Sequence, residues 1–121
     1  MKYEISQRFF FDAAHSLRRT IEVESSARIH GHTYQAEVAL SGQPDPDTGM
    51  VLDLGLLRTE LDRIRAQLDH RLLDDVPGIG APTLENLCSF IARAVADGGM
   101  RASRVSVWRE GIGDRCTLQL D

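Results

Sequence analysis

The sequence predicts an α+β domain: one antiparallel sheet with two helices on one face, in the order β-β-α-α-β-β. Three observations carry that expectation. Apolar residues alternate with period two over residues 2–15 and again from His30 onward. They recur at three- and four-residue spacings along two later stretches, which is the helical period. The chain has 121 residues, 42% hydrophobic and 26% charged, the size and composition of one folded domain, residues 1–121.

The first strand puts Tyr3, Ile5, Phe9, Phe11 and Ala13 on one face and Lys2, Glu4, Ser6, Arg8 and Asp12 on the other. The pattern lapses over 16–28, "SLRRTIEVESSAR", which reads as a loop, and returns with Tyr34, Ala36, Val38 and Leu40 inward. The two prolines of "SGQPDPDTG" (41–49) stop that strand, because proline cannot continue a ladder. Leu54, Leu57, Leu61, Ile64 and Leu68 then mark an amphipathic helix ending near Asp69-His70. After the loop "DDVPGIGAP" (74–82), Thr83 is placed to cap a second helix, with Leu87, Ile91, Ala94 and Val95 inward and Gly98-Gly99 ending it. Two short strands, around 103–109 and 115–120, flank the glycine-bearing turn "EGIGD". Such a small sheet has open edges, so copies of the chain are expected to pair edge to edge.

Composition narrows the function. The net charge is −4 and no Lys/Arg block occurs, which argues against nucleic acid as a partner. No segment approaches the length of a membrane span, and the start "MKYEISQRFFFD" lacks the apolar run of a secretion signal, so a cytoplasmic location is expected. Cys88 and Cys116 lie in apolar surroundings without CxxC spacing and read as reduced core thiols.

Chemistry concentrates in the four histidines. His30 and His32 are two apart on a strand, so both rings leave the same face, while Gly31 turns the other way and would allow a close backbone approach. His15 ends the first strand on the face of Phe11 and Ala13, and a hairpin would bring it beside the pair. Three imidazoles converging with a fourth position open make a catalytic zinc site; three unrelated histidines are the alternative. His70 follows Asp69 at the end of the first helix, where a carboxylate can orient the ring or the helix dipole can favour it. Glu110 is a lone acid ending a valine-rich strand, and Glu85 lies in the first turn after Thr83, where the dipole suits an acid.

Six stretches taken in order, "FDAAHSL", "HGHTY", "GMVLDL", "LDHRLLDD", "PTLEN" and "VSVWREG", resemble the 6-pyruvoyl-tetrahydropterin and 6-carboxy-tetrahydropterin synthase superfamily along nearly the whole chain. The 15-residue step from His15 to His30 is similar to the short carboxy-type members. The resemblance implies a T-fold whose trimers close a barrel and stack as a homohexamer with sites between subunits. It implies zinc on His15, His30 and His32, proton relay by Asp69 and His70, pterin anchoring by Glu110, and a pocket lined by Thr83 and Glu85. The implied substrate is 7,8-dihydroneopterin triphosphate. Zinc would hold the side-chain oxygens as a C–H proton leaves, and Arg18 and Arg19 either meet the phosphates or are solvated loop arginines. The chain departs from the family at its thiol: the carboxy-type position holds Ser26 and the animal-type position Glu24. Three readings follow: a lyase forming 6-carboxy-tetrahydropterin on the route to queuosine-type nucleosides; a synthase or side-chain-cleaving lyase with Glu24 or His70 as base; and a non-catalytic pterin- or zinc-binding relative.

Overall fold

The structure, a computed structural model, describes residues 1–17, 21, 24 and 27–121. Strands β1 (Tyr3–His15) and β2 (His30–Gly42) form a long hairpin in register from Tyr3↔Gly42 to His15↔His30. Helix α1 (Leu54–Leu68), a 3₁₀ turn (Leu73–Asp75) and helix α2 (Leu84–Asp97) precede β3 (Arg104–Arg109) and β4 (Asp114–Gln119). Among the described residues the strands form one antiparallel sheet in the order β1-β2-β3-β4, the predicted fold class.

Each helix starts where a side chain satisfies an otherwise unpaired backbone N–H. The Asp53 carboxylate accepts from the Gly55 N–H, and the Thr83 hydroxyl accepts from the Asn86 N–H. Helix α1 lies over β1 and α2 over β3 and β4. Leu57, Leu61, Ile64, Leu68, Leu87, Ile91 and Val95 meet Phe11, Tyr34, Val38, Val105 and Val107 in one core. Burying each such large side chain contributes about 1.5–3 kcal/mol. The strand alternation therefore decides which residues face the helices, and His15, His30, His32 and Arg109 share that inward parity at the end of the sheet beyond the core.

Among the described residues the opposite face carries no helix, and it is polar. Arg104 donates to Glu4 at 2.7 Å and to Glu37 at 2.6 Å, while Arg8 and Arg115 sit over the Trp108 ring. Of the two edge strands, β1 is covered over its last third. Arg65 Nε donates to the Phe10 carbonyl, the His70 N–H to the Asp12 carbonyl and the Ala14 N–H to the Arg71 carbonyl, and Leu72 forms a bridge with Ala14.

Two expectations change. Within the stretch read as a loop over 16–28, Glu24 and Ala27 have helical backbone. A Cβ built on Gly31 would meet only the Ala13 carbonyl, at 3.8 Å, so no close approach among the described residues requires that glycine. Cys88 is buried, Cys116 is half-buried, and both are free thiols, in line with the expectation. No helix of the described residues is long and apolar enough to cross a membrane.

Candidate metal centre

Hairpin register builds the site. His15 pairs with His30 and Ala13 with His32, so three imidazoles leave one face within two residues of one another. His15 Nε2 lies 2.9 Å from His30 Nε2 and 3.0 Å from His32 Nε2. The proton positions follow from what surrounds the rings. His15 Nδ1 faces the Pro82 carbonyl at 3.2 Å and His30 Nδ1 faces the Arg28 carbonyl at 2.7 Å. A carbonyl only accepts, so both Nδ1 atoms carry the hydrogen and both Nε2 atoms present bare lone pairs to each other. A contact of two lone pairs at hydrogen-bond distance is repulsive unless a cation lies between them. Four ligands on zinc at about 2.05 Å stand about 3.3 Å apart; the two separations from His15 are a few tenths of an ångström short of that, and all three ligand atoms lie within 4.8 Å of one another. Fixing the remote ring nitrogen on a carbonyl is also how metal-binding histidines are oriented.

Electrostatics favour the neutral, ligating form. Burial pushes the His32 imidazole down to about 4, helped by the Arg109 guanidinium and by the other two rings. Burial also lowers His15, against the pull of the Pro82 carbonyl in the other direction. The Tyr34 hydroxyl, 3.0 Å from His15 Nδ1, is pushed up to about 12 by burial and stays protonated.

The other sequence-derived candidates fall around this centre at different places. Asp69 takes the Asp12 N–H on Oδ1 at 2.9 Å and the His70 Nδ1–H on Oδ2 at 2.8 Å, and these bonds hold its carboxyl below the usual range. His70 is exposed, sits at φ 58°, and with His32 borders an open depression of about 550 Å³. Thr83 and Glu85 line a cleft of about 700 Å³ together with Leu17, Arg109, Asp114 and Cys116. Glu110 is exposed just past β3, and its carboxylate accepts from Trp108 Nε1 at 3.4 Å, so it leans toward the polar face rather than toward the triad. The Glu24 carboxylate, 89% exposed, pairs with Arg28 at 3.0 Å. Ser26, Arg18 and Arg19 lie outside the described residues.

Sequence reasoning missed Tyr34 as a partner of His15, and it missed Arg109. Arg109 has the parity of Val105 and Val107, so it points inward, and its Nη1 lies 3.3 Å from His32 Nε2. A cation where strand alternation demands an apolar residue was the signal.

Comparison with known proteins identifies the lineage. The family described as 6-pyruvoyl tetrahydropterin synthase matches residues 4–120. The chain belongs to the 6-pyruvoyl tetrahydropterin synthase family. Its relatives include a dihydroneopterin monophosphate aldolase from Pyrococcus furiosus, 32% identical over 89% of this chain and 90% of that one. A putative 6-carboxy-5,6,7,8-tetrahydropterin synthase from Archaeoglobus fulgidus is 35% identical over 80% of this chain and 79% of its own. Among solved structures, the 6-pyruvoyl tetrahydropterin synthase of Caenorhabditis elegans superposes with a TM-score of 0.82 at 22% identity, covering 100% of this chain and 97% of that one. The sheet and helices above are thus the T-fold of the tetrahydropterin synthase family.

Proposed function

We propose that this chain is a zinc-dependent lyase that cleaves the side chain of a 7,8-dihydroneopterin phosphate ester. The observation that carries the reading is the triad of His15, His30 and His32, with bare Nε2 atoms turned on one point. Imidazoles without a nearby thiolate suit Zn²⁺, which when bound would act as a Lewis acid on side-chain oxygens. His70, with Nδ1–H held by Asp69, keeps Nε2 free to take up and return a proton. A cleft bordered by Thr83 and Glu85 would take the pterin ring. Glu110, which leans away from its own triad, would serve a neighbouring subunit, its carboxylate accepting two parallel N–H bonds from a 2-amino-4-oxo ring. The edges support such an assembly: β4 has six residues, and among the described residues no strand pairs with the outer edge of β1 from Tyr3 to Phe9. A closed homohexamer of two trimers is the form proposed.

The base distinguishes the products. An alcohol at Ser26 is a far weaker acid than a thiol, so an alkoxide is costly at neutral pH, whereas the carboxylate of Glu24 is already a base. A carboxylate suits cleavage to 6-hydroxymethyl-dihydropterin, and a relative matching nine-tenths of the chain is named as an aldolase. Formation of 6-carboxy-tetrahydropterin from the triphosphate is the second reading, favoured by relatives named for it and by the His15-to-His30 spacing. Mass spectrometry of products from zinc-loaded protein with 7,8-dihydroneopterin monophosphate and triphosphate separates them. The hydroxymethyl product supports the first reading and the carboxy product the second. No turnover of either ester by zinc-loaded protein refutes both and leaves a binding protein.

A further inference from the structure

Arg109 stands where a metal-binding site would least welcome a second cation. Extending the Gln35↔Trp108 pair by one residue puts it opposite Tyr34, and its side chain is only 14% exposed. Nη2 donates to the Asp114 carboxylate, Nη1 lies 3.3 Å from His32 Nε2, and Nε has no partner among the described residues. A guanidinium only donates, so its contact with His32 uses the lone pair on Nε2. That same lone pair is the ligand of a metal held by the triad. Once a metal takes it, Nη1 loses that acceptor, and the guanidinium is left with Asp114 and the neighbouring Tyr34 hydroxyl while Nε stays without a partner among the described residues, in a setting where unsatisfied buried donors are costly. An anionic oxygen can accept from Nη1 in place of His32, and it also offsets the added positive charge. The cleft with Thr83 and Glu85 opens onto Arg109, so a molecule lying there reaches this side chain.

From this geometry we infer that Arg109 is an oxyanion-holding residue of the centre, gripping a carboxylate, alkoxide or phosphate oxygen of the molecule bound beside the triad. Asp114 holds its far end in place. The inference rests on the metal-site reading above and adds to it a group that binds charge without binding metal.

The test uses protein loaded with Co²⁺ in place of zinc, whose visible spectrum reports on added ligands, titrated with acetate as a plain carboxylate probe. The wild type, Arg109→Gln and Arg109→Lys are compared at equal ionic strength, with cobalt content measured for each. The expected result is unchanged metal content and acetate binding weakened about tenfold or more in Arg109→Gln, the scale of losing a charge-assisted bond. Arg109→Lys, which keeps the charge but not the fork, should fall between. Acetate bound equally well by metal-loaded Arg109→Gln overturns the inference and leaves the metal site standing. Loss of cobalt from both variants also overturns it, since Arg109 would then be a support for His32. Failure of the wild type to take up cobalt overturns the metal reading and this inference together.

Discussion

Acidifying the metal-free protein should destabilise it through His32, and the size of the effect can be worked out. The folded-state value of about 4 lies below the value of about 6.5 for an unfolded chain. Between those values the unfolded state binds more protons, so stability falls as pH falls. The contribution is fully present above about pH 6.5 and is lost as pH drops through about 4. A shift of about 2.5 units corresponds to about 3 kcal/mol at most, and partial exposure of the ring reduces it to about 2 kcal/mol. His15, lowered by burial, acts in the same direction. The lowered carboxyls of Glu37, Asp69 and Asp74 lose their contributions at lower pH and do not confuse the window. The assay is denaturant unfolding after chelation, at about pH 7.5 and about pH 4.5 and at fixed protein concentration, for wild type and His32→Gln. Wild type should lose about 2 kcal/mol more than the variant over that interval. Equal losses in the two proteins would refute the electrostatic account of this cluster. With zinc present the fall should be steeper, because each imidazole must stay neutral to ligate.

Zinc should bind at close to one per chain in wild type and at well under a tenth of that affinity in His15→Ala or His30→Ala, read by elemental analysis and competition with a chelator. Glu110→Ala should weaken pterin binding at least tenfold while leaving zinc content unchanged, measured by pterin fluorescence titration; loss of zinc instead would reverse its role. Glu24→Gln should slow turnover by about 10²- to 10⁴-fold if the carboxylate is the base, with Ser26→Ala tolerated; Ser26→Cys raising the carboxy-forming rate would point to the other position. Light scattering should find a closed oligomer, and a fully active monomer at micromolar concentration would exclude a shared site.

The fold was legible because two periods were written cleanly: alternation in the strands and the Leu54-to-Leu68 stripe in α1. The triad was legible for the same reason, since His30 and His32 keep strand parity and His15 keeps that of Phe11 and Ala13. What alternation could not give was distance along the chain. Asp12 and Asp69 meet across 57 positions, and nothing local to either announces the Asp12 N–H that the Asp69 carboxylate accepts. Pro82 is 67 positions from His15, yet its carbonyl fixes that ring's proton. Glu110 was visible as an acid, but which face it leans toward depends on Trp108, whose indole N–H it accepts. Arg109 was overlooked because a charged residue at the end of a strand looks like a solvent-facing terminus until its parity is counted.

On the role proposed for His70, position 70 also sets stability against activity. A non-glycine residue at φ 58° pays about 1–2 kcal/mol for its backbone, and glycine or asparagine would sit there at ease. Any search for sturdier variants that ranks substitutions by melting temperature will therefore be drawn to replace His70, and will be rewarded for doing so. The gain would remove an imidazole whose ring is held by Asp69 over an open depression. Thermostable descendants selected without an activity screen should lose their histidine here first, and sequences that keep it under heat reveal that selection is protecting chemistry at the expense of the fold.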